Sequence, residues 1–292
     1  MRFVFAILAH ANADQLARLI DTLLAPDSDD LVVLHLDRRS DLWRHQRDRF
    51  AAHPSGRLRL VMHPTKVLWA HRSLVEAQQL LVREALRADF DYFHLLSGAD
   101  WPVCSRSRMV EDIASFANRK PVFADLWGEL QEKRMDDWWF DERGLSVPGC
   151  NRLTENIQRA QTRLSWSFSK IMRGAGIHRR RYAGSRWLKG SGWFSVPRDA
   201  AIRMEREVTR LQKSGRLVFT QCPDEHVCQT VLGRLFADRI EPARRFIDWS
   251  GGGYHPKLLK TEDTSAITAS NAWFARKVDA GTDPFFYQLG RF

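Results

Sequence analysis

The first 125 residues alternate between short apolar runs and amphipathic stretches, and few architectures accept that rhythm. Such β-type and helical runs build β-α-β units, whose strands pair in parallel under helices on both faces. Four strands are expected, over Arg2 to Leu8, Leu31 to Leu36, Leu58 to Met62 and Tyr92 to Leu96. A helix over about Ala13 to Leu24 puts Leu16, Leu19, Ile20, Leu23 and Leu24 on one face. A second, over about Ser73 to Arg87, offers Leu74, Ala77, Leu80, Leu81 and Leu86 to the core. The fold class is α/β, with a mainly parallel central sheet flanked by helices.

In open α/β sheets ligands bind beyond the carboxyl ends of the strands. That rule selects Ala9, His10, Asp37, Ser97, Gly98 and Asp100 as the place where a nucleotide should lie. No G-x-G-x-x-G and no Walker loop makes it a dinucleotide or ATP site. The second half is less regular, with a polar Trp-rich stretch (Asp125 to Phe140), a basic helix from about Asn151 to Arg173, and the turn Gly190-Ser191-Gly192-Trp193. No repeat or linker divides the chain, so one domain over residues 1–292 is expected. Its nucleotide-binding half would run to about residue 125, and its acceptor and catalytic half from about 126.

Lys and Arg number 45 against 35 Asp and Glu, giving +10 and a pI near 9.8. That field attracts nucleic acid, anionic membrane or a phosphorylated substrate. No nucleic-acid-binding motif frames the clusters at Arg179 to Arg181 and Arg244-Arg245, so a solvated basic face is expected for most arginines and no nucleic-acid partner. No run reaches the roughly 18 to 20 apolar residues of a membrane span. Cys104, Cys150, Cys222 and Cys228 form no C-x-x-C pair, so neither a zinc site nor a disulfide framework is indicated. A cytoplasmic protein with reduced thiols is expected. Its basic surface would suit peripheral association with the inner face of the membrane if the acceptor is lipid-linked.

Two segments carry chemistry. Pro223-Asp224-Glu225 offers a carboxylate at the start of a helix, and Trp273-Phe274-Ala275-Arg276-Lys277 offers two fixed cations on an apolar strand or turn. A general base and a diphosphate clamp are what inverting sugar transfer needs when it proceeds without a metal ion. Each has a plainer reading. Pro-Asp-Glu is an ordinary helix opening, with Asp224 as a helix-end residue, and Arg-Lys is common on a basic surface. Asp27-Ser28-Asp29 and Asp89-Phe90-Asp91 precede strands, while Asp37 and Asp100 follow strands but stand alone. No metal and no other cofactor is therefore expected. Lys257 and Lys260 are further candidate cations.

Eight segments in chain order, Ala6–His10, Leu34–Ser40, Trp69–Leu74, Leu95–Pro102, Lys189–Phe194, Pro223–Glu225, Phe246–Trp249 and Phe274–Lys277, resemble glycosyltransferase family 14. These are the core-2/I-branching β-1,6-N-acetylglucosaminyltransferases and peptide O-xylosyltransferases. The resemblance implies a GT-A-like nucleotide-sugar-binding fold, inversion at the anomeric carbon and no metal requirement. It implies Glu225 as the catalytic base, Arg276 and Lys277 at the diphosphate, and Asp37 with the backbone near Ala9 and His10 at the uridine. It implies Trp249, and more loosely Arg134, on the acceptor side. Trp193 lies in a matching motif, and Ser97, Gly98, Asp100, Gly190 and Ser191 would let a sugar approach the backbone closely and bind it. The branching enzymes carry a tyrosine two residues after that tryptophan, whereas this chain has Gly251 and sits closer to the xylosyltransferases. Donors of N-acetylglucosamine and xylose both stay open, with a glycan, lipid-linked saccharide or peptide as acceptor. A silent glycan-binding module and a basic nucleic-acid-binding protein are the competing classes.

Overall fold

A computed structural model describes residues 1–140, 152–179, 182–184, 186–252, 255–279, 281 and 283. Cys150, Arg180 and Arg181 lie outside the described residues. The first half runs β1 (Phe3–Ala9), α1 (Ala13–Leu23), β2 (Leu31–Leu36), α2 (Arg47–Ala51), β3 (Leu58–Leu60), α3 (Ser73–Ala85), β4 (Tyr92–Ser97), β5 (Trp101–Pro102) and α4 (Arg106–Ala114). It continues through β6 (Val122–Ala124), α5 (Lys133–Asp136), α6 (Arg152–Gly174), β7 (Phe194–Pro197) and α7 (Arg198–Lys213). After a 3-10 turn at Pro223–Glu225 come α8 (Val227–Leu235), β8 (Ile240–Glu241), β9 (Arg245–Ile247), α9 (Thr264–Ala269) and β10 (Phe274–Arg276). Among the described residues no helix is long and apolar enough to cross a membrane.

The central sheet has the order β3-β2-β1-β4-β7-β6-β8 among the described residues. The first four strands are parallel, β7 runs antiparallel to both β4 and β6, and β8 returns to parallel beside β6. Near-continuous apolar strands follow from burial on both faces. Val4, Ala6, Val33 and Leu95 point into one core, while Phe5, Ile7, Val32, Leu34 and Leu96 point into the other. The face predicted for α1 is the buried one. For α3 it is rotated: Val75, Gln78, Gln79 and Val82 are buried beside Ala77 and Leu81, whereas Leu74, Leu80 and Leu86 are only half-buried. Val75, Ala77, Leu81 and Val82 sit in the core, and Leu80 and Leu86 pack partly buried against it.

The direction of β7 decides which residues reach the carboxyl edge of the sheet. Because it opposes β4, its first residue lies at the carboxyl end of the parallel strands, and the segment before it is delivered to that edge. The carboxyl ends of β1, β2, β4 and β6 meet there as well. The chain leaves β1 toward β2 and β3 on one side and resumes with β4 on the other, so the crevice between β1 and β4 is the topological switch point. A smaller sheet, β5-β10-β9, lies next to it, because β5 follows directly from Asp100 and pairs with β10.

Candidate active site

The base candidate sits on a pinned turn. Cys222 takes a left-handed conformation (φ 46°), its amide donates to the Ala70 carbonyl at 2.7 Å, and the Gln221 amide donates to the Arg134 carbonyl at 2.8 Å. The turn carrying Glu225 is thereby stitched to the short helix carrying Arg134. Arg134 Nη1 donates to Glu225 Oε2 at 2.7 Å, and Lys189 Nζ lies 3.6 Å from the same oxygen. Oε1 makes no hydrogen bond among the described residues. Lys189 also stands over the half-exposed Trp127 ring, 4.9 Å from its centroid. Asp224, expected only to end a helix, instead has a buried Oδ1 with no hydrogen-bond partner. Burial, reinforced by the neighbouring Glu225 charge, pushes its carboxyl up to about 7.

The clamp candidate is a buried cluster of charge. Asp100 is wholly buried; its Oδ2 accepts the Ser97 amide at 2.8 Å and its Oδ1 the Ser97 hydroxyl at 3.1 Å. Arg276 Nη1 lies 3.5 Å from Asp100 Oδ1, and Arg245 Nη1 3.6 Å from Oδ2. Asp100 thus faces the two arginines from inside the protein. Arg245, expected on a solvated face, is instead buried, donates to the Leu95 carbonyl at 2.7 Å and packs over Phe274. Burial lowers both guanidinium groups, Arg245 to about 10. The Arg276 guanidinium covers the Trp193 ring at 4.2 Å, so one indole face is occupied by a cation. Its Nε and Nη1, like Arg245 Nη1, are buried without a hydrogen bond.

Lys277 follows with a half-buried side chain, and its ammonium makes no ion pair among the described residues. The Lys277 carbonyl accepts from Leu259, and the next amide, Val278, donates to the Ala99 carbonyl at 2.9 Å. Gln15 Nε2 donates to both the Gly98 and Val278 carbonyls. These bonds fasten the end of β10 to the switch point. Lys257 is already neutralised by Asp263 at 2.7 Å, and Lys260 is exposed.

At the strand ends, the Asp37 amide donates to the Ala9 carbonyl, and Asp37 Oδ1 accepts the Arg39 and Val67 amides. His10 is exposed beside them. Gly98 packs so closely that a Cβ there would stand 3.3 Å from Ala9 Cβ. Trp249 is half-exposed on the loop after β9.

One five-residue segment joins the two clusters. The Gly190 amide donates to the Glu225 carbonyl at 2.9 Å, Ser191 hydrogen-bonds Asp125, and Trp193 carries Arg276. Lys189 and Trp193 are at most about 14 Å apart along an extended chain. Gly190 is required by space: an added Cβ would lie 2.0 Å from the Asp125 carbonyl oxygen and 2.6 Å from Gln229 Cγ. Asp125 is a site residue that sequence reasoning missed, although it follows β6 as Asp37 follows β2; burial raises its carboxyl against the pull of Ser191, the Ala243 amide and Arg245. No group of three or more His, Cys, Asp or Glu that could hold a metal ion stands together among the described residues.

No curated protein matches the chain. Among solved structures it is similar to the galactosyltransferase LgtC in complex with donor and acceptor sugar analogues (TM-score 0.42, 13% identity, covering 94% of this chain and 86% of that one). It is also similar to mouse xyloside xylosyltransferase 1, apo form (TM-score 0.40, 10% identity, 94% and 97%). These likenesses are distant, and the family match is the finding that carries weight. The family described as Core-2/I-branching enzyme matches residues 3–271, nearly the whole chain, and includes both clusters except Trp273 to Lys277. The chain therefore belongs to the Core-2/I-branching enzyme family and is a glycosyltransferase.

Proposed function

We propose that this glycosyltransferase is inverting and metal-independent, moving N-acetylglucosamine or xylose from a UDP-sugar to a hydroxyl of a glycan, lipid-linked saccharide or peptide. The observation that carries the reading is the segment Lys189–Trp193, whose Gly190 amide holds the Glu225 carbonyl and whose Lys189 ammonium faces the Glu225 carboxylate at one end, while Trp193 carries the Arg276 guanidinium at the other. Uracil and ribose would lie over Ala9, His10 and Asp37 at the switch point. Arg276, with Lys277, would meet the diphosphate, whose oxygens would accept from the buried guanidinium N–H groups that make no hydrogen bond. Arg134 holds one Glu225 oxygen and leaves Oε1 to accept the proton of the acceptor hydroxyl. As that proton leaves, the acceptor oxygen bonds to the anomeric carbon from the face opposite UDP. The bond to the β-phosphate oxygen breaks, its electron pair stays on UDP, and the fixed cations stabilise the new charge.

Positioned base catalysis contributes roughly 10² to 10⁴-fold. Glu225→Gln should therefore retain UDP binding and lose transfer by that order, measured with UDP-N-acetylglucosamine and UDP-xylose in excess EDTA. Unchanged turnover in the variant would remove Glu225 from the chemistry. Wild-type transfer that vanishes in EDTA and returns with Mn²⁺ would overturn the metal-free reading.

A further inference from the structure

The longest helix, α6, is built inside out. Its inward face is held by small polar residues: Ser165 and Ser169 are buried, and their hydroxyls accept the amides of Phe140 and Trp138. Phe168 packs edge-on against Trp138 and Phe140, but four other large apolar residues face water, with Ile171 67% exposed, Trp166 59%, Leu164 58% and Ile157 38%. A helix on a globular surface normally does the reverse.

Ile157, Leu164 and Ile171 recur every seven residues, so they form one stripe along the helix, about 21 Å long at 1.5 Å per residue. Arg163 and Lys170 repeat with the same spacing one residue earlier, which makes a second stripe beside the first. Both are exposed, and neither has an ion-pair partner among the described residues. No acidic residue occurs between Asn156 and Gly174.

We propose that the outer face of α6 docks this enzyme on an anionic lipid bilayer. The aliphatic stripe would enter the acyl boundary while Arg163 and Lys170 meet lipid phosphates. Charge selects this occupant over two others. A twofold pairing with a second copy would set each basic stripe against itself. A nucleic acid would answer the cations and leave the aliphatic stripe in water. The docking is independent of the transfer chemistry.

The test is flotation of the purified full chain with vesicles of phosphatidylcholine alone or mixed with phosphatidylglycerol. Wild type should float with the anionic vesicles and stay behind with the neutral ones. Leu164→Glu with Ile171→Glu, and separately Arg163→Glu with Lys170→Glu, should each lower the bound fraction about tenfold or more. Arg87→Glu with Arg210→Glu changes net charge equally on other surfaces and should bind like wild type. Absence of binding to anionic vesicles overturns the proposal, as does an equal loss in the control pair. So does a dimer in light scattering that Leu164→Glu with Ile171→Glu converts to monomer. If a double variant fails to fold, Leu164→Ser must still weaken vesicle binding.

Discussion

Gly190→Ala is the most demanding perturbation the active-site geometry offers. One added carbon would lie 2.0 Å from a backbone carbonyl oxygen and 2.6 Å from Gln229 Cγ, and only the second neighbour is a side chain. The Asp125 carbonyl cannot swing away without moving the end of β6, so the segment 189–193 must shift instead. Overpacking of this kind costs about 1–3 kcal/mol, and two contacts below 3 Å put it at the upper end. At roughly 2–4 °C per kcal/mol, a melting temperature about 6–12 °C lower is expected. Transfer should fall further than stability does, because the displaced segment loses the Gly190–Glu225 bond and carries Trp193 away from Arg276. Gly192→Ala is the control: its φ of +80° makes the change strained by about 1 kcal/mol, but its nearest neighbour is 3.5 Å away. Thermal melts and transfer assays on both variants decide the matter. A Gly190→Ala enzyme that melts and turns over like wild type would refute the reasoning that this segment couples base and clamp.

Arg276→Ala or Lys277→Ala should weaken UDP about 10- to 100-fold in calorimetric titration while leaving uridine nearly unchanged; equal losses for both ligands would point to misfolding. Asp100→Asn leaves Arg245 and Arg276 buried without their anion, and should cost about 3–5 kcal/mol in denaturant unfolding. Adding Arg245→Met should recover part of it, and a neutral Asp100→Asn would defeat that account. Asp224 is raised from 3.8 to about 7 in the folded protein, so its protonated form is the one folding favours. Its stabilising contribution is complete below about pH 4 and is lost as pH rises through 7. Asp224→Asn should therefore gain stability relative to wild type at pH above about 7 and show no such gain near pH 4. A difference that does not change with pH would show Asp224 is not protonated there.

The first half of the fold was legible because its signals are local. β1 and β2 are continuous apolar runs buried on both faces, and α1 repeats leucine at helical spacing. The rotated face of α3 was not, since Gln78 and Gln79 count as polar in any pattern yet are buried against neighbours the sequence does not display. Arg245 was missed because an Arg-Arg pair reads as surface; only the pairing of β9 with β10 turns it inward toward Asp100. Asp125 follows a strand of three residues, too short to register beside the longer runs. Glu225, Arg276 and Lys277 were visible as residue types, but Lys189 and Trp193 reach them through the reversed direction of β7, and Arg134 through the bond from the Gln221 amide to its carbonyl, neither of which a local pattern encodes.

The bond from Gln15 to the Val278 carbonyl joins residues 263 positions apart, and that separation has a temporal meaning. Apart from Arg276 and Lys277, every part of the candidate donor pocket precedes β10 in the chain. During synthesis at roughly 5–20 residues per second, the parallel strands can pair many seconds before the guanidinium of Arg276 exists to meet them. Contacts of such high sequence separation also form slowly in an intact chain. A growing or C-terminally clipped molecule would therefore own a sheet and a carboxylate without the proposed grip on nucleotide, and donor affinity would then report that β10 is in place.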